Sequence, residues 1–299
     1  MRLLFLLGVT VAGFVAQLVD GSLGMGYGVT STSLLLALGL TPAIASASVH
    51  VAEIGTSLAS GASHWRYGNV DTGVLLRLAV PGAVGAFAGA VVLSNLSLAH
   101  ARPWVSVVLL VLGAVIVWRC VRARRAALRI SASRRAWLLA PLGLIGGFLD
   151  ASGGGGWGPV TTSTLTATGR LAARRAIGTV SASEFVVALA ASAGFLFALG
   201  ESAIHWDVAV LILIGGVIAA PIAAAIVQRF DEKALGTAIG ATIVLLNADR
   251  GGGLLGADPQ VVVAIRIATL LAGGGIVAVV LIRGRSERRA AAEAPAATG

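Results

Sequence analysis

Long apolar runs recur from one end of the sequence to the other, broken only by short polar segments. No other feature constrains the fold as much. The runs occupy residues 3–19, 29–40, 43–63, 73–93, 104–118, 137–149, 159–169, 176–199, 208–227, 234–247 and 261–282. A helix rises about 1.5 Å per residue and a bilayer core is about 30 Å thick, so roughly 20 residues are needed to cross. Runs such as 43–63, 73–93, 176–199 and 208–227 reach that length. Runs 104–118 and 234–247 are marginal, and 29–40 and 159–169 fall short by nearly half. Charged residues are only 12% of the chain, against about 25% in soluble domains. Mean hydropathy is +0.92. So little charge cannot cover a water-facing surface, which excludes a soluble enzyme or a disordered chain. The expectation is an all-α polytopic membrane protein.

The two short runs occupy equivalent places in an internal repeat. With Asp20 aligned to Asp150, Ser22, Gly24, Gly26 and Gly28 fall on Ser152, Gly154, Gly156 and Gly158, and Tyr27 falls on Trp157. Thr32 and Ser33 meet Thr162 and Ser163. After one inserted residue, Ala45, Val49 and Glu53 meet Ala176, Val180 and Glu184. The reading is a first transmembrane repeat over 1–120, a basic linker over 121–135, a second repeat over 136–282, and a disordered polar tail over 283–299. The start of the chain has the look of a signal peptide. The same element recurs internally before Asp150, however, so residues 3–19 are read as part of the mature fold.

Lysine and arginine placement sets the orientation. The linker (Arg122, Arg124, Arg125, Arg129, Arg134, Arg135, with Arg119 beside it) and the tail (Arg283, Arg285, Arg288, Arg289) should both be cytoplasmic. An even number of crossings must then separate them. The first half crosses an odd number of times, its N-terminus is outside, and the halves are inverted. Of the 22 Lys and Arg residues, all but Arg2, Arg102, Arg250 and Arg266 fall on the inner face. The net charge of +9 is therefore orientation charge rather than a nucleic-acid footprint, and aromatics at 5% are too few for a base-stacking surface. A lone cysteine, Cys120, and four scattered histidines give no disulfide and no zinc spacing, so no metal or other cofactor is expected.

Inverted repeats with paired, glycine-broken short helices are a mark of secondary transporters. The two segments are expected to meet near the midplane. Non-helical backbone at that depth is tolerated only where it is buried in protein or lines a wet cavity. Helix N-termini following the breaks would favour an anion. The candidate substrate-binding residues are Ser22, Gly24, Gly26, Tyr27, Gly28, Thr30 and Thr32, with Ser152, Gly154, Gly156, Trp157, Gly158, Thr161 and Thr162. The competing reading gives the glycines a packing role and lets the hydroxyls bond local carbonyls. A G-x-G-x-G spacing with no Walker lysine and no βαβ pattern does not fit nucleotide binding. Four intramembrane acids, Asp20, Glu53, Asp150 and Glu184, are costly unless paired or protonated. With His50, one helical turn before Glu53, they are the candidates for proton coupling; for Asp20 and Asp150 a capping role competes. No nucleophile–base pair stands at usable spacing, which argues against an enzyme.

The duplicated glycine motif, the repeat, the length and the stretch Ser63-His64-Trp65-Arg66-Tyr67-Gly68-Asn69-Val70-Asp71 resemble the sulfite exporter TauE/SafE family of membrane permeases (the TSUP superfamily). The resemblance runs from about Gly8 to Ile282. It carries over Gly24, Gly26 and Gly28, and Gly154, Gly155, Gly156 and Gly158, as motif positions. Met25 and Tyr27 interrupt a Gly-Gly-Gly run that many relatives carry. The resemblance implies a multi-pass protein of the bacterial plasma (inner) membrane that moves sulfite or an organosulfonate, usually outward. The other reading left open by the residues is a cation carrier or channel that binds its ion through the four acids. The expected partners are a small anionic substrate and the lipid bilayer, without nucleic acid; a homo-oligomer is compatible with the sequence.

Overall fold

A computed structural model describes residues 2–23, 25–121, 138–167, 171–201, 204–226, 232–254, 256 and 258–293. Every regular element among them is helical. The first half holds α1 (Arg2–Leu23), α2 (Tyr27–Ala37), α3 (Pro42–Arg66), α4 (Thr72–Asn95) and α5 (Leu98–Val121). The second holds α6 (Leu139–Gly153), a π-helical turn (Gly158–Thr162) that continues into α7 (Ser163–Ala167), then α8 (Ala173–Leu199), α9 (Trp206–Ile226), α10 (Glu232–Leu254) and α11 (Pro259–Glu293). The linker expected over 121–135 lies almost wholly outside the described residues.

Both short apolar runs become short helices, each preceded by a break. α1 runs on through Asp20 and ends at Leu23; α6 runs on through Asp150 and ends at Gly153. At each break a glycine takes a left-handed backbone: Gly26 (φ 112°) before α2, and Gly154 (φ 77°) with Gly155 (φ 126°) after α6. The run 104–118 proves longer than marginal. Its helix, α5, starts at Leu98, because Arg102 and Pro103 near its start interrupt the hydropathy without interrupting the helix. α11 likewise runs beyond residue 282, to Glu293. Among the described residues, four helical segments are long and apolar enough to cross a membrane: Leu3–Asp20, Thr72–Asn95, Leu98–Val121 and Arg174–Leu199.

Packing follows the membrane pattern, with small residues inside and large apolar residues outside. α1 lies against α9, α4 against α6 and α8, α3 against α8, α5 against α10, and α11 against α10. At these crossings glycine lets backbones touch. A Cβ on Gly13 of α1 would meet the backbone of Ile212 in α9, and one on Gly143 of α6 would meet the Leu78 carbonyl in α4. Gly113 of α5 and Gly240 of α10 face each other's carbonyls, at 3.0 and 2.7 Å from where a Cβ would stand. Leu3, Leu4, Leu7, Leu76, Val80, Val217, Leu270 and Leu271 point outward, while Glu53, His50, Asp150 and a set of hydroxyls are buried. That is the inverse of a soluble protein and is stable only in an apolar solvent. Trp65 and Trp206 are about half exposed at helix ends, as interface anchors are.

The stretch 63–71 is the turn from α3 into α4. Gly68 (φ 67°) reverses the chain, and Asp71 caps α4 by accepting the Val74 N–H at 3.0 Å. The turn docks on α8: the Asp71 N–H donates to Thr179 Oγ1 at 2.9 Å, and a Cβ on Gly178 would stand 2.7 Å from the Asn69 carbonyl.

Candidate functional site

The two glycine segments meet in the interior. A Cβ on Gly28, in the first turn of α2, would stand 2.8 Å from Gly155 Cα, and one on Gly158 would stand 3.1 Å from Met25 Cβ. Gly154 abuts Thr32, and Gly155 abuts the backbone of Gly28 and Val29. α2 and the segment 154–158 thus pass each other antiparallel at backbone contact, a spacing only glycine permits.

Each helix end that follows a break is occupied by the aspartate that precedes it. Asp150 Oδ1 accepts the N–H groups of Gly156 (2.6 Å) and Trp157 (2.9 Å). Asp20 accepts the N–H of Tyr27, the repeat counterpart of Trp157. The expectation of N-termini open to an anion is therefore met from within: a carboxylate in the last turn of one helix reaches across the break and caps the next. Trp157 is fully buried, and its Nε1–H donates to the Val180 carbonyl at 3.2 Å.

The candidate hydroxyls divide in two. Ser152 donates to the Phe148 carbonyl at 2.6 Å, and Thr161 donates to the Trp157 carbonyl. Both satisfy their own helix. Thr30 Oγ1, Thr32 Oγ1, Thr162 Oγ1 and the Tyr27 hydroxyl are buried without a hydrogen-bond partner among the described residues. Unpartnered buried hydroxyls are expensive, and these four keep a donor that the described residues do not use. Gly24 lies outside the described residues, as does the side chain of Ser22.

The five proton-coupling candidates share one locality. Glu53 feels the charges of Asp150, Glu184 and Asp20, and Glu184 those of Asp20 and Asp150. At the centre His50, fully buried on α3, bridges to α6. Its Nδ1 lies 2.7 Å from the Ser46 carbonyl, which can only accept, so Nδ1 carries a hydrogen. Nε2 then faces Asp150 Oδ2 at 3.2 Å and Glu53 Oε2 at 3.9 Å. Two lone pairs cannot face each other at hydrogen-bond distance without something positive between them, either a proton or a cation. Glu53 Oε2 is buried without a hydrogen-bond partner among the described residues, while Oε1 lies 2.9 Å from where a Gly28 Cβ would stand. Ser46 Oγ ties the same helix to α6 by donating to the Ala151 carbonyl at 2.8 Å.

Two residues near the crossing were not singled out from the sequence. Arg119 is half-buried in the last turn of α5. Its Nη1 lies 2.9 Å from Met25 Sδ and 3.3 Å from Ser163 Oγ. In sequence it merges with the basic linker; only the extra turn of α5 brings it inside. Asn247 of α10 donates from Nδ2 to Ser33 Oγ at 3.1 Å, Ser33 being the repeat counterpart of Ser163. Its signal was a lone amide closing an apolar run.

Residues 9–249 match the family model described as Sulfite exporter TauE/SafE. A relative from Bacillus subtilis (strain 168), described as "Probable membrane transporter protein YtnM", is 49% identical over 239 residues, 79% of each chain. No solved structure matches the chain.

Proposed function

Because the chain belongs to the sulfite exporter TauE/SafE family of membrane transporters, we propose that it exports a small sulfur-containing oxyanion, sulfite or an organosulfonate, through the crossing of its two glycine segments, coupled to protons. The observation that carries this reading is the antiparallel contact of Gly28 with Gly155, with the unpartnered hydroxyl of Thr32 against the neighbouring Gly154. Close backbone gives a small, sharply bounded site, and hydroxyl donors suit an oxyanion. Asp20, Glu53, Asp150 and Glu184 are the groups whose negative charge must be offset before an anion can pass; protonation offsets it, with His50 as a proton partner.

The inverted-repeat reading draws support from how the halves pack. α1 lies on α9 as α6 lies on α4, so each half contributes the partner that the other lacks. Gly13 closes on Ile212 as Gly143 closes on Leu78, and Tyr27 lies over Gly216 as Trp157 lies over Gly82. Alternating access would then rock one repeat against the other about the glycine crossing.

The test is sulfite and taurine-type sulfonate efflux from proteoliposomes of the purified protein, with and without an imposed pH gradient. The expected result is saturable efflux that the gradient accelerates. Flux equal to that of protein-free vesicles overturns the substrate; flux indifferent to the gradient overturns the coupling. Glu53→Gln separates this reading from cation carriage: an anion carrier keeps anion exchange and loses only the gradient dependence.

A further inference from the structure

We propose that His50 Nε2, Glu53 Oε2 and Asp150 Oδ2 form a binding site for a divalent transition-metal ion of the zinc and cobalt type, buried beside the glycine crossing. This goes beyond the transport reading and holds whether or not sulfite is the cargo.

Three observations carry it. The first is convergence. His50 and Glu53 on α3 and Asp150 on α6 are buried, and one ligand atom from each lies within 4.8 Å of the other two. At a metal–ligand distance of about 2.1 Å, the edge of a tetrahedral site is roughly 3.4 Å. The Nε2–Oδ2 and Nε2–Oε2 separations of 3.2 and 3.9 Å bracket that edge.

The second is the atoms behind the ligands. His50 donates its Nδ1–H to the Ser46 carbonyl, which leaves Nε2 with its lone pair toward the two carboxylates. The other oxygen of Asp150 is held by two backbone N–H groups, so Oδ2 has little freedom to turn away. Metal-ligating histidines and carboxylates are oriented by this kind of support.

The third favours a metal over a single proton shared by His50 and Asp150. Glu53 Oε2 is 97% buried by side chain, points at His50 Nε2, and has no hydrogen-bond partner among the described residues. A single proton between His50 and Asp150 satisfies that pair and leaves Glu53 Oε2 stranded at 3.9 Å. One cation satisfies all three atoms. Imidazole with two carboxylates suits a borderline divalent ion better than magnesium or calcium, which prefer all-oxygen sites. A divalent ion also cancels the two carboxylate charges, which would lower the barrier to an anion at Gly28 and Gly155. The sequence showed no metal spacing because Asp150 stands 100 residues from His50 along the chain.

The test uses full-length purified protein in detergent, affinity tag removed, stripped with chelator and titrated with Co2+ alone, then displaced with Zn2+. The expected result is one equivalent of Co2+ with the intense d–d absorption of a four- or five-coordinate site, displaced stoichiometrically by Zn2+. Glu53→Gln and His50→Gln should each weaken Co2+ binding at least tenfold, while Glu201→Gln, at an exposed position, should not change it. Asp150→Asn, which keeps an acceptor for the two backbone N–H groups, is the variant to use if the others elute as aggregate. Absence of saturable Co2+ binding, an octahedral spectrum, or binding equal in Glu53→Gln and the unaltered protein overturns the site. The titration needs no transport, so its failure leaves the sulfite reading standing, and loss of sulfite flux leaves the metal site standing.

Discussion

Asp150 does two jobs with its two oxygens, and substitutions can separate them. Oδ1 caps the backbone of Gly156 and Trp157; Oδ2 faces His50. Asparagine keeps an acceptor for the cap and offers an N–H to His50 Nε2, so Asp150→Asn should change stability by less than about 1 kcal/mol. Asp150→Ala strands two buried N–H groups and should cost about 3 kcal/mol. Thermal melts in detergent check this; equal losses in the two variants would refute the split. The threonines give a second contrast. Thr32→Val and Thr162→Val remove hydroxyls that the fold does not use, so stability should hold or rise by about 1 kcal/mol while anion flux falls. Thr161→Val removes a hydroxyl already bonded within its own helix and should leave flux near normal. If all three variants behave alike in the flux assay, the unpartnered hydroxyls are not the ligands. All these residues could be listed from the sequence: the repeat marks Asp150, Thr32 and Thr162, and Thr161 is a hydroxyl beside the second glycine break. Which hydroxyls were spent on local carbonyls was not legible, since that depends on rotamers set by neighbouring helices.

At the scale of elements, glycine at the helix crossings sets how closely α1, α4, α6 and α9 approach. Gly143→Val would drive its side chain into the Leu78 carbonyl and should lower stability by about 2 kcal/mol or more. Gly274→Val, in open space on α11, should stay within about 0.5 kcal/mol. A melting comparison of the two decides the point, and equal shifts would remove the crossing argument. Helix existence was readable from the apolar runs, and both breaks were readable from glycine. Helix ends were less so: α5 begins before Arg102 and ends after Arg119, because charged residues near the ends of a helix lower the hydropathy without breaking hydrogen bonds. That shift of one turn is what brings Arg119 to Met25 and Ser163.

For the molecule as a whole, the arginine distribution makes an orientation testable. In a Cys120→Ser background, Glu201→Cys should react with a membrane-impermeant maleimide in intact cells, and Gly299→Cys only after permeabilisation. The reverse pattern would invert the assignment. Periodic apolar runs, scarce charge and a duplicated glycine motif were enough to establish a helical membrane protein of transporter type, because each is a local property that the bilayer reads directly. Which atoms meet at the centre was decided only by tertiary structure. His50 and Asp150 are 100 residues apart, and the lack of a histidine at Ser181 breaks the symmetry that made the rest of the site visible in the sequence. The capping of each broken helix by its own aspartate is likewise a matter of three-dimensional reach: the carboxylate must span a glycine turn whose direction no spacing rule specifies.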